Sequence, residues 1–533
     1  MLEKKLLSSI VFSVLCLSVV NRGFADDFSP IKTINPLESN QPKSELKIDL
    51  NTPNMPKEDT KTIDLSENDV FYDFMGATDR FVQCNVSASW DAFKSLIDTN
   101  QQNDFVYLSI ANKMSDLGLF DLANLATSKI QDKEISTLSI DAMKRFYFPS
   151  KKLKPEDELS LAETYSNILY NDQSSESTTE LLKNTEFLSK YDYANYLVAL
   201  GSYKSGFYSR ANQYIDLAII QNPANLNYQK LKAEILAETH NQEDAIKIVE
   251  NLKKQNLFSF EYEKKIRSLE QYVLYKTETA EWAKNYHLGY YYYLENENSK
   301  AIKSLQTALS SKKRCNSGMV YALMSEIYLS MSELEKASET AQKAYKINKN
   351  NSKTLISMGD LSYRNKDYKQ SLKYYKQASS VDKLSYTPLL KEAQACQQLS
   401  NFTKAQEIYT KILKTHSDSW EAYYNVALLD GDKETKITYL KKALAVNPLF
   451  KDGWLELAKI EIDRANYLVA QKYLFNAFYL DENDFRYYYY QGLVDKNLGN
   501  YTQAEYNFKK CLKLNDKHKE AREELSPPST DRI

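Results

Sequence analysis

Residues 451–484 read KDGWLELAKIEIDRANYLVAQKYLFNAFYLDEND, and residues 485–518 read FRYYYYQGLVDKNLGNYTQAEYNFKKCLKLNDKH. The two stretches align without a gap, at a period of 34 residues. Small residues recur at the same places, as in the pairs Ala458/Gly492, Ala470/Ala504 and Ala477/Cys511. Small residues are needed where two helices cross closely, and large apolar residues at three- and four-residue spacing mark a buried helix face. The alignment therefore predicts two copies of a helix–turn–helix unit, with Gly499 in a turn.

The same frame extends towards the N-terminus. We recognise eight further copies, at 420–450, 386–419, 352–385, 318–351, 282–315, 226–259, 192–225 and 104–137. The copy at 420–450 has lost three residues from the turn between its helices. The register breaks at 138–191, where one and a half divergent helix pairs are predicted, and at 260–281, where one extra helix is predicted. A terminal repeat needs a cover for its apolar face, so 519–525 is predicted to be a capping helix.

This pattern resembles the tetratricopeptide repeat, a helix–turn–helix unit of 34 residues. The resemblance implies an all-α, right-handed superhelical solenoid of antiparallel helix pairs, and we expect it from about residue 88 to residue 525. In this family the first helix of each pair, helix A, lines a concave groove, and the second is helix B. The resemblance also implies a protein-binding scaffold.

Composition agrees with an interaction protein. The chain has 533 residues and a formal net charge of -2, so it lacks the basic surface expected of a nucleic-acid-binding protein. Only 12 glycines and 12 prolines are present, which disfavours collagen and β-proteins with many tight turns. The 4 histidines lie in different repeats, whereas tyrosine is abundant, with 41 copies.

The N-terminal residues indicate export. Lys4 and Lys5 precede an apolar run at 6–20, and Ala25 ends a segment suited to signal peptidase. The run is short for a membrane span, although an uncleaved anchor is the alternative interpretation. We expect a periplasmic or secreted protein of a bacterial cell envelope. The predicted divisions are a signal peptide at 1–25, a disordered acidic and proline-containing linker at 26–66, a helical lead-in at 67–103, divergent repeats at 104–281, a regular array at 282–518, and a capping helix and tail at 519–533.

A partner-binding surface is predicted on the A helices of the regular array. The predicted binding residues are Tyr286, Tyr290, Tyr293, Leu329, Ile356, Tyr363 and Leu390. The three tyrosines share one helical face, and tyrosine combines apolar area with a polar tip. The alternative is that these tyrosines only pack against neighbouring helices. The lysine and asparagine set with which chaperone-binding relatives clamp a carboxylate is absent from these faces.

No catalytic, cofactor-binding or metal-binding residues are predicted, because no phosphate-binding loop, nucleophile motif or zinc spacing occurs. A non-enzymatic scaffold that holds a protein or peptide is the leading hypothesis, without a nucleic-acid partner or a membrane span after signal cleavage. Binding of glycan or cell wall through exposed tyrosines is the alternative, and an enzyme with a helical-repeat body is the third. Cys396 and Cys511 are predicted to be buried and unpaired, while the state of Cys84 and Cys315 is left open.

Overall fold

The computed structural model describes residues 67–99, 104–171, 174–239, 241–255, 257–311, 315–383 and 385–525. The predicted signal peptide, the predicted linker and the tail at 526–533 lie outside these residues. The described residues contain helices, turns and bends and no strand, which confirms the expected all-α solenoid.

Twenty-eight helices follow one another within the described residues. They are α1 Glu67–Val82, α2 Val86–Thr99, α3 Asp104–Asp116, α4 Phe120–Lys129, α5 Lys133–Tyr147, α6 Pro155–Tyr170, α7 Ser174–Lys183, α8 Thr185–Lys190, α9 Asp192–Lys204, α10 Tyr208–Gln221, α11 Leu226–Glu238, α12 Gln242–Lys253, α13 Phe260–Thr277, α14 Glu281–Leu294, α15 Asn298–Ser310, α16 Ser317–Ser330, α17 Leu334–Ile347, α18 Ser352–Arg364, α19 Tyr368–Val381, α20 Thr387–Gln398, α21 Phe402–Thr415, α22 Trp420–Leu429, α23 Lys433–Val446, α24 Lys451–Asp463, α25 Tyr467–Leu480, α26 Phe485–Asn497, α27 Tyr501–Leu514 and α28 Lys519–Leu525.

Each regular pair is held together at a close crossing of its two helices. A β-carbon built on Gly359 in α18 would lie 2.3 Å from the Tyr375 ring in α19. One built on Gly492 in α26 would lie 2.6 Å from the Phe508 ring in α27. The large ring of helix B thus occupies the space that a side chain on helix A would need. This explains why small residues repeat at this position of the sequence.

Backbone conformation shows the same period in the turns between paired helices. Ser332, Lys366 and Ser400 all have a positive φ and are spaced by 34 residues, and so are Ala465 and Gly499. From Ser400 to Ala465 the distance is 65 residues, three fewer than two periods. The missing residues belong to the pair α22 and α23, whose connection at 430–432 has no residue with a positive φ. The short repeat therefore reverses direction with a different turn.

The helical array begins earlier than residue 88. Helices α1 and α2 already pack as a pair, with the rings of Phe74 and Phe93 in edge-to-face contact at 5.7 Å. Helix α1 lies within the segment 67–103, for which a helical lead-in is predicted. At the other end, α28 buries Ala521 against the last pair, in the position expected of a capping helix.

The described residues form two large hydrophobic cores with three smaller ones between them. The N-terminal core takes its buried residues from 74–273, and the C-terminal core takes most of its own from 427–521. The smaller cores lie within 286–327, 329–361 and 390–426. We call the segment from α14 to α21 the arch, because it leads from one large core to the other.

Candidate functional site

Three tyrosines of α14 begin the candidate groove. Tyr286 is only 3% exposed, whereas Tyr290 and Tyr293 are half-buried. The rings of Tyr290 and Tyr293 stack on each other with 6.4 Å between centroids. Their spacing of three and four residues places them on one face of the helix, as the sequence predicts. Tyr286 thus supports this face from beneath, and the other two tyrosines form its surface.

Lys353 of α18 reaches back across α16 to these tyrosines. Its Nζ donates a hydrogen bond to the Tyr286 hydroxyl at 3.0 Å and lies 4.9 Å from the centre of the Tyr290 ring. Burial alone would lower the pKa of the Lys353 ammonium, yet the contacts with Tyr286 and Tyr290 raise it. Lys353 is therefore charged at neutral pH, and its side chain remains exposed to solvent.

Glu326 of α16 provides a negative charge on the same surface. Glu326 is exposed, and yet nearby protein desolvates its carboxyl group. Desolvation raises the pKa of the Glu326 carboxyl, the positive charge of Lys353 opposes this rise, and Asp360 adds to it. Burial raises the pKa of the Tyr293 hydroxyl, and Glu326 in turn raises it further. A side chain that is exposed to water and also desolvated by nearby protein is typical of a position in a groove.

Asp360 of α18 ties the groove surface to two neighbouring helices. Its Oδ1 accepts a hydrogen bond from the Tyr375 hydroxyl at 2.7 Å. The same oxygen forms an ion pair with Lys391 Nζ, also at 2.7 Å. Tyr375 lies in helix B of the same repeat, and Lys391 lies on helix A of the next. This network holds α18, α19 and α20 in a fixed relation. Neither Tyr375 nor Lys391 was among the predicted binding residues.

The remaining predicted residues differ in how accessible they are. Leu329 and Leu390 are each 7% exposed and belong to two of the small cores, so they pack beneath the groove surface and support it. Ile356 and Tyr363 are partly exposed, and the Tyr363 ring packs against Tyr368 at 5.2 Å. The structure thus brings Tyr286, Tyr290 and Tyr293 together. Tyr363 instead contacts Tyr368 at the end of α18 that is far from Lys353. The sequence placed all of these residues on A helices, and it did not distinguish supporting residues from surface ones.

A second cleft lies near the C-terminal end of the array, between α24, α26 and α28. It has a volume of about 320 Å³, and its lining includes Lys459, Tyr489, Tyr490 and His518. Arg486 also lines it, and its guanidinium is paired with Asp484 at 2.7 Å and Asp452 at 2.6 Å. Because two carboxylates neutralise Arg486, this cleft offers less free positive charge than its sequence suggests.

Within the part of the chain that the structure describes, no three or more His, Cys, Asp and Glu side chains are grouped so as to hold a metal ion. None of the described helices has the length and apolar character needed to cross a membrane. The four cysteines of this part are free, with Cys396 and Cys511 buried as expected.

Comparison with known proteins identifies the repeats. The tetratricopeptide repeat family model matches residues 320–351 and 485–518, and the model of the Fis1 C-terminal tetratricopeptide repeat matches 194–239. Human protein O-mannosyl-transferase TMTC3 is 24% identical over an alignment of 198 residues, which covers 33% of this chain and 21% of that protein. The chain therefore spans about a fifth of the length of this curated relative.

Similar solved structures include a tetratricopeptide repeat protein from Parabacteroides merdae and the APC/C hetero-tetramer Cut9–Hcn1. The first has 16% identity and a TM-score of 0.36, and the match covers 46% of this chain and 98% of that one. The second has 12% identity and a TM-score of 0.42, with 86% and 95% covered. Tetratricopeptide repeat models thus match three segments of the chain, 194–239, 320–351 and 485–518, and these segments lie within an all-α solenoid of antiparallel helix pairs.

Proposed function

We propose that this protein is a non-enzymatic scaffold or adaptor that holds a protein or peptide in the concave groove of the arch. The observation that carries the proposal is the surface made by Tyr290, Tyr293, Lys353 and Glu326. It combines aromatic area with the Lys353 ammonium and the Glu326 carboxyl group, and both of these residues are exposed. Tyrosine-rich surfaces of this kind are typical of binding hot spots in protein interfaces.

The charges favour a particular kind of peptide. Among its described contacts, the Lys353 ammonium has one hydrogen bond, to Tyr286, and an ammonium has three donors. A carboxylate of the partner would complete this coordination, and an apolar or aromatic side chain would pack on the Tyr290 ring beside it. The proposal therefore names an acidic peptide with a neighbouring apolar residue as the preferred partner.

We also propose that the protein acts outside the cytoplasm, in a periplasmic or secreted location of the cell envelope. The support is the sequence of residues 1–25, with its positive start and apolar run. Cell fractionation followed by N-terminal sequencing of the purified protein tests this. A mature chain that starts at Asp26 in the envelope fraction is expected, and a cytoplasmic chain that keeps Met1 would contradict it.

The similarity to the human O-mannosyl-transferase does not change this proposal, because the matching stretch is 21% of that protein. Glycan binding is the competing function, since exposed tyrosines can stack on sugar rings. In the described chain, Tyr501 and Tyr506 are 70% and 57% exposed and lie outside the arch. These two residues, rather than the groove, would be the first candidates for contact with a wall polymer.

A peptide-display library tests the groove directly. Peptides selected on the wild-type protein should be enriched in acidic residues, and Tyr290→Ala combined with Lys353→Ala should abolish their binding. Tyr506→Ala is the matched control, because it removes an exposed tyrosine elsewhere and should leave binding unchanged. Truncation of one anchor residue typically costs about 2 kcal/mol, or about thirtyfold in affinity.

Equal binding by the wild type and the double variant, with folding intact, would refute the groove. Co-sedimentation with purified peptidoglycan runs in parallel. Sedimentation that Tyr506→Ala abolishes and the double variant retains would establish the glycan alternative instead.

A further inference from the structure

Helices from distant parts of the chain meet on one side of the solenoid. The Phe105 ring of α3 lies 6.0 Å from the Trp454 ring of α24 and 5.7 Å from the Tyr479 ring of α25, both edge-to-face. Phe105 is 3% exposed, so this contact removes it from water. About ten repeats of sequence separate the two sides. In repeat arrays each unit ordinarily contacts only its neighbours, so the contact is additional to those that fold the repeats.

At this contact, each of the two large cores includes or packs against residues from the other half of the chain. Phe105 and Ile135 belong to the C-terminal core, although Val106, the neighbour of Phe105, belongs to the N-terminal core. Conversely, Phe475 and Tyr479 of α25 pack against the N-terminal core. Phe105 and Ile135 thus make their main apolar contacts with distant repeats rather than with their own.

An ion pair accompanies the apolar contact. Lys441 of α23 lies 2.6 Å from Glu134 and 3.9 Å from Asp132, at the start of α5. The Asp104 carboxylate accepts hydrogen bonds from the backbone N–H groups of Gln131 at 2.9 Å and Asp132 at 2.6 Å. These bonds tie the start of α3 to the start of α5. Phe105, Ile135 and Glu134 are therefore presented together, as one docking element.

The ends of the arch are held together at a second place. The ring of Phe260, at the start of α13, lies 6.1 Å from that of Trp420, at the start of α22. The Trp420 ring in turn packs against Phe450 at 4.5 Å. Helices α13 and α22, which flank the arch from α14 to α21, therefore lie close together.

We propose that α3 and α5 act as a latch on α23, α24 and α25, and that the latch holds the solenoid in a closed turn. The latch consists of apolar side chains and two ion pairs of Lys441, one with Asp132 and one with Glu134, which is 71% exposed. Paired helices within a repeat instead share a continuous buried stripe. The latch therefore opens without unfolding the repeats, and opening it moves the two large cores apart. The closed state of the latch involves none of the groove residues, so this proposal does not depend on which partner the groove binds.

Small-angle X-ray scattering and zero-length crosslinking of the full chain test the latch. Phe105→Ala removes a buried ring, which should shift the balance from closed to open about a hundredfold. We expect a larger radius of gyration, unchanged helicity by circular dichroism, and loss of the carbodiimide crosslink between Lys441 and Glu134. Phe402→Ala is the matched control, because Phe402 is 53% exposed on α21 and outside the latch.

A second variant keeps the test decisive if Phe105→Ala loses helicity. Glu134→Lys places a like charge opposite Lys441 on an exposed position, and it should enlarge the radius of gyration at low salt. An unchanged radius of gyration and an unchanged crosslink in folded Phe105→Ala would overturn the latch. If only Glu134→Lys folds, an unchanged radius of gyration in that variant would overturn it as well.

Discussion

Substitution of Gly359 by alanine tests the close crossing of paired helices next to the groove. The new β-carbon would lie 2.3 Å from Cε1 and 2.6 Å from Cδ1 of Tyr375. The Tyr375 ring is 2% exposed, and its hydroxyl is fixed by the hydrogen bond to Asp360. The ring therefore cannot swing away without breaking the network that also holds Lys391.

The size of the effect follows from two opposing contributions. Overpacking of a core costs about 1–3 kcal/mol, and such a short contact with a fixed ring belongs at the upper end. Alanine returns about 1 kcal/mol through its higher helix propensity. The net expected loss of stability is about 2 kcal/mol in the pair α18 and α19. This corresponds to about a thirtyfold change in the local opening equilibrium.

Hydrogen exchange monitored by mass spectrometry is the suitable assay, because long repeat arrays do not unfold in one step. Amides of α18 and α19 should exchange about thirtyfold faster in Gly359→Ala. Gly76→Ala is the control, since nothing lies within 4 Å of its added β-carbon and it should slow exchange in α1 slightly. Equal exchange in Gly359→Ala and the wild type would refute the crossing geometry.

Three further predictions follow from other positions. Gly499→Ala should cost about 1 kcal/mol, because φ is 84° there with open space around the site, and faster hydrogen exchange in α26 and α27 would show it. Ala470→Leu should cost about 1–3 kcal/mol by overpacking a residue that is 0% exposed, and unchanged hydrogen exchange in α24 and α25 would contradict this. Burial raises the pKa of Glu263 from 4.5 to about 7, with help from Asp418, so its stabilising contribution is present below pH 4.5 and is lost as the pH rises through 7. Glu263→Gln should flatten that loss in thermal melts, and an unaltered pH profile would count against it.

Local periodicity in the sequence was sufficient to predict the repeat unit. Small residues such as Ala470, Ala504 and Gly492 recur because the two helices of each pair cross closely in the same way. The turn residues with positive φ follow the same 34-residue period. The A-helix positions also placed Tyr290 and Tyr293 on one surface. Such signals depend only on neighbours in the chain, which is why they could be read directly.

Contacts between distant repeats could not be predicted in the same way. The meeting of Phe105 with Trp454 depends on small rotations that accumulate over many repeats, and no single repeat carries that information. The role of Lys353 was hidden for a related reason, since its ammonium contacts Tyr286 two repeats earlier. The burial of Tyr286 also depends on these neighbours, so the sequence could not separate it from the half-buried Tyr290 and Tyr293.

Site-specific photocrosslinking tests most directly whether the groove of the arch holds a protein partner. A benzoylphenylalanine residue replaces Tyr290 in one chain and Tyr506 in another, and each chain is irradiated in the cells that produce it and analysed by mass spectrometry. We predict a discrete protein adduct, attached through an acidic segment of the partner, for the chain labelled at 290 and its absence for the chain labelled at 506. No adduct at 290, or the same adduct at both positions, would contradict the account.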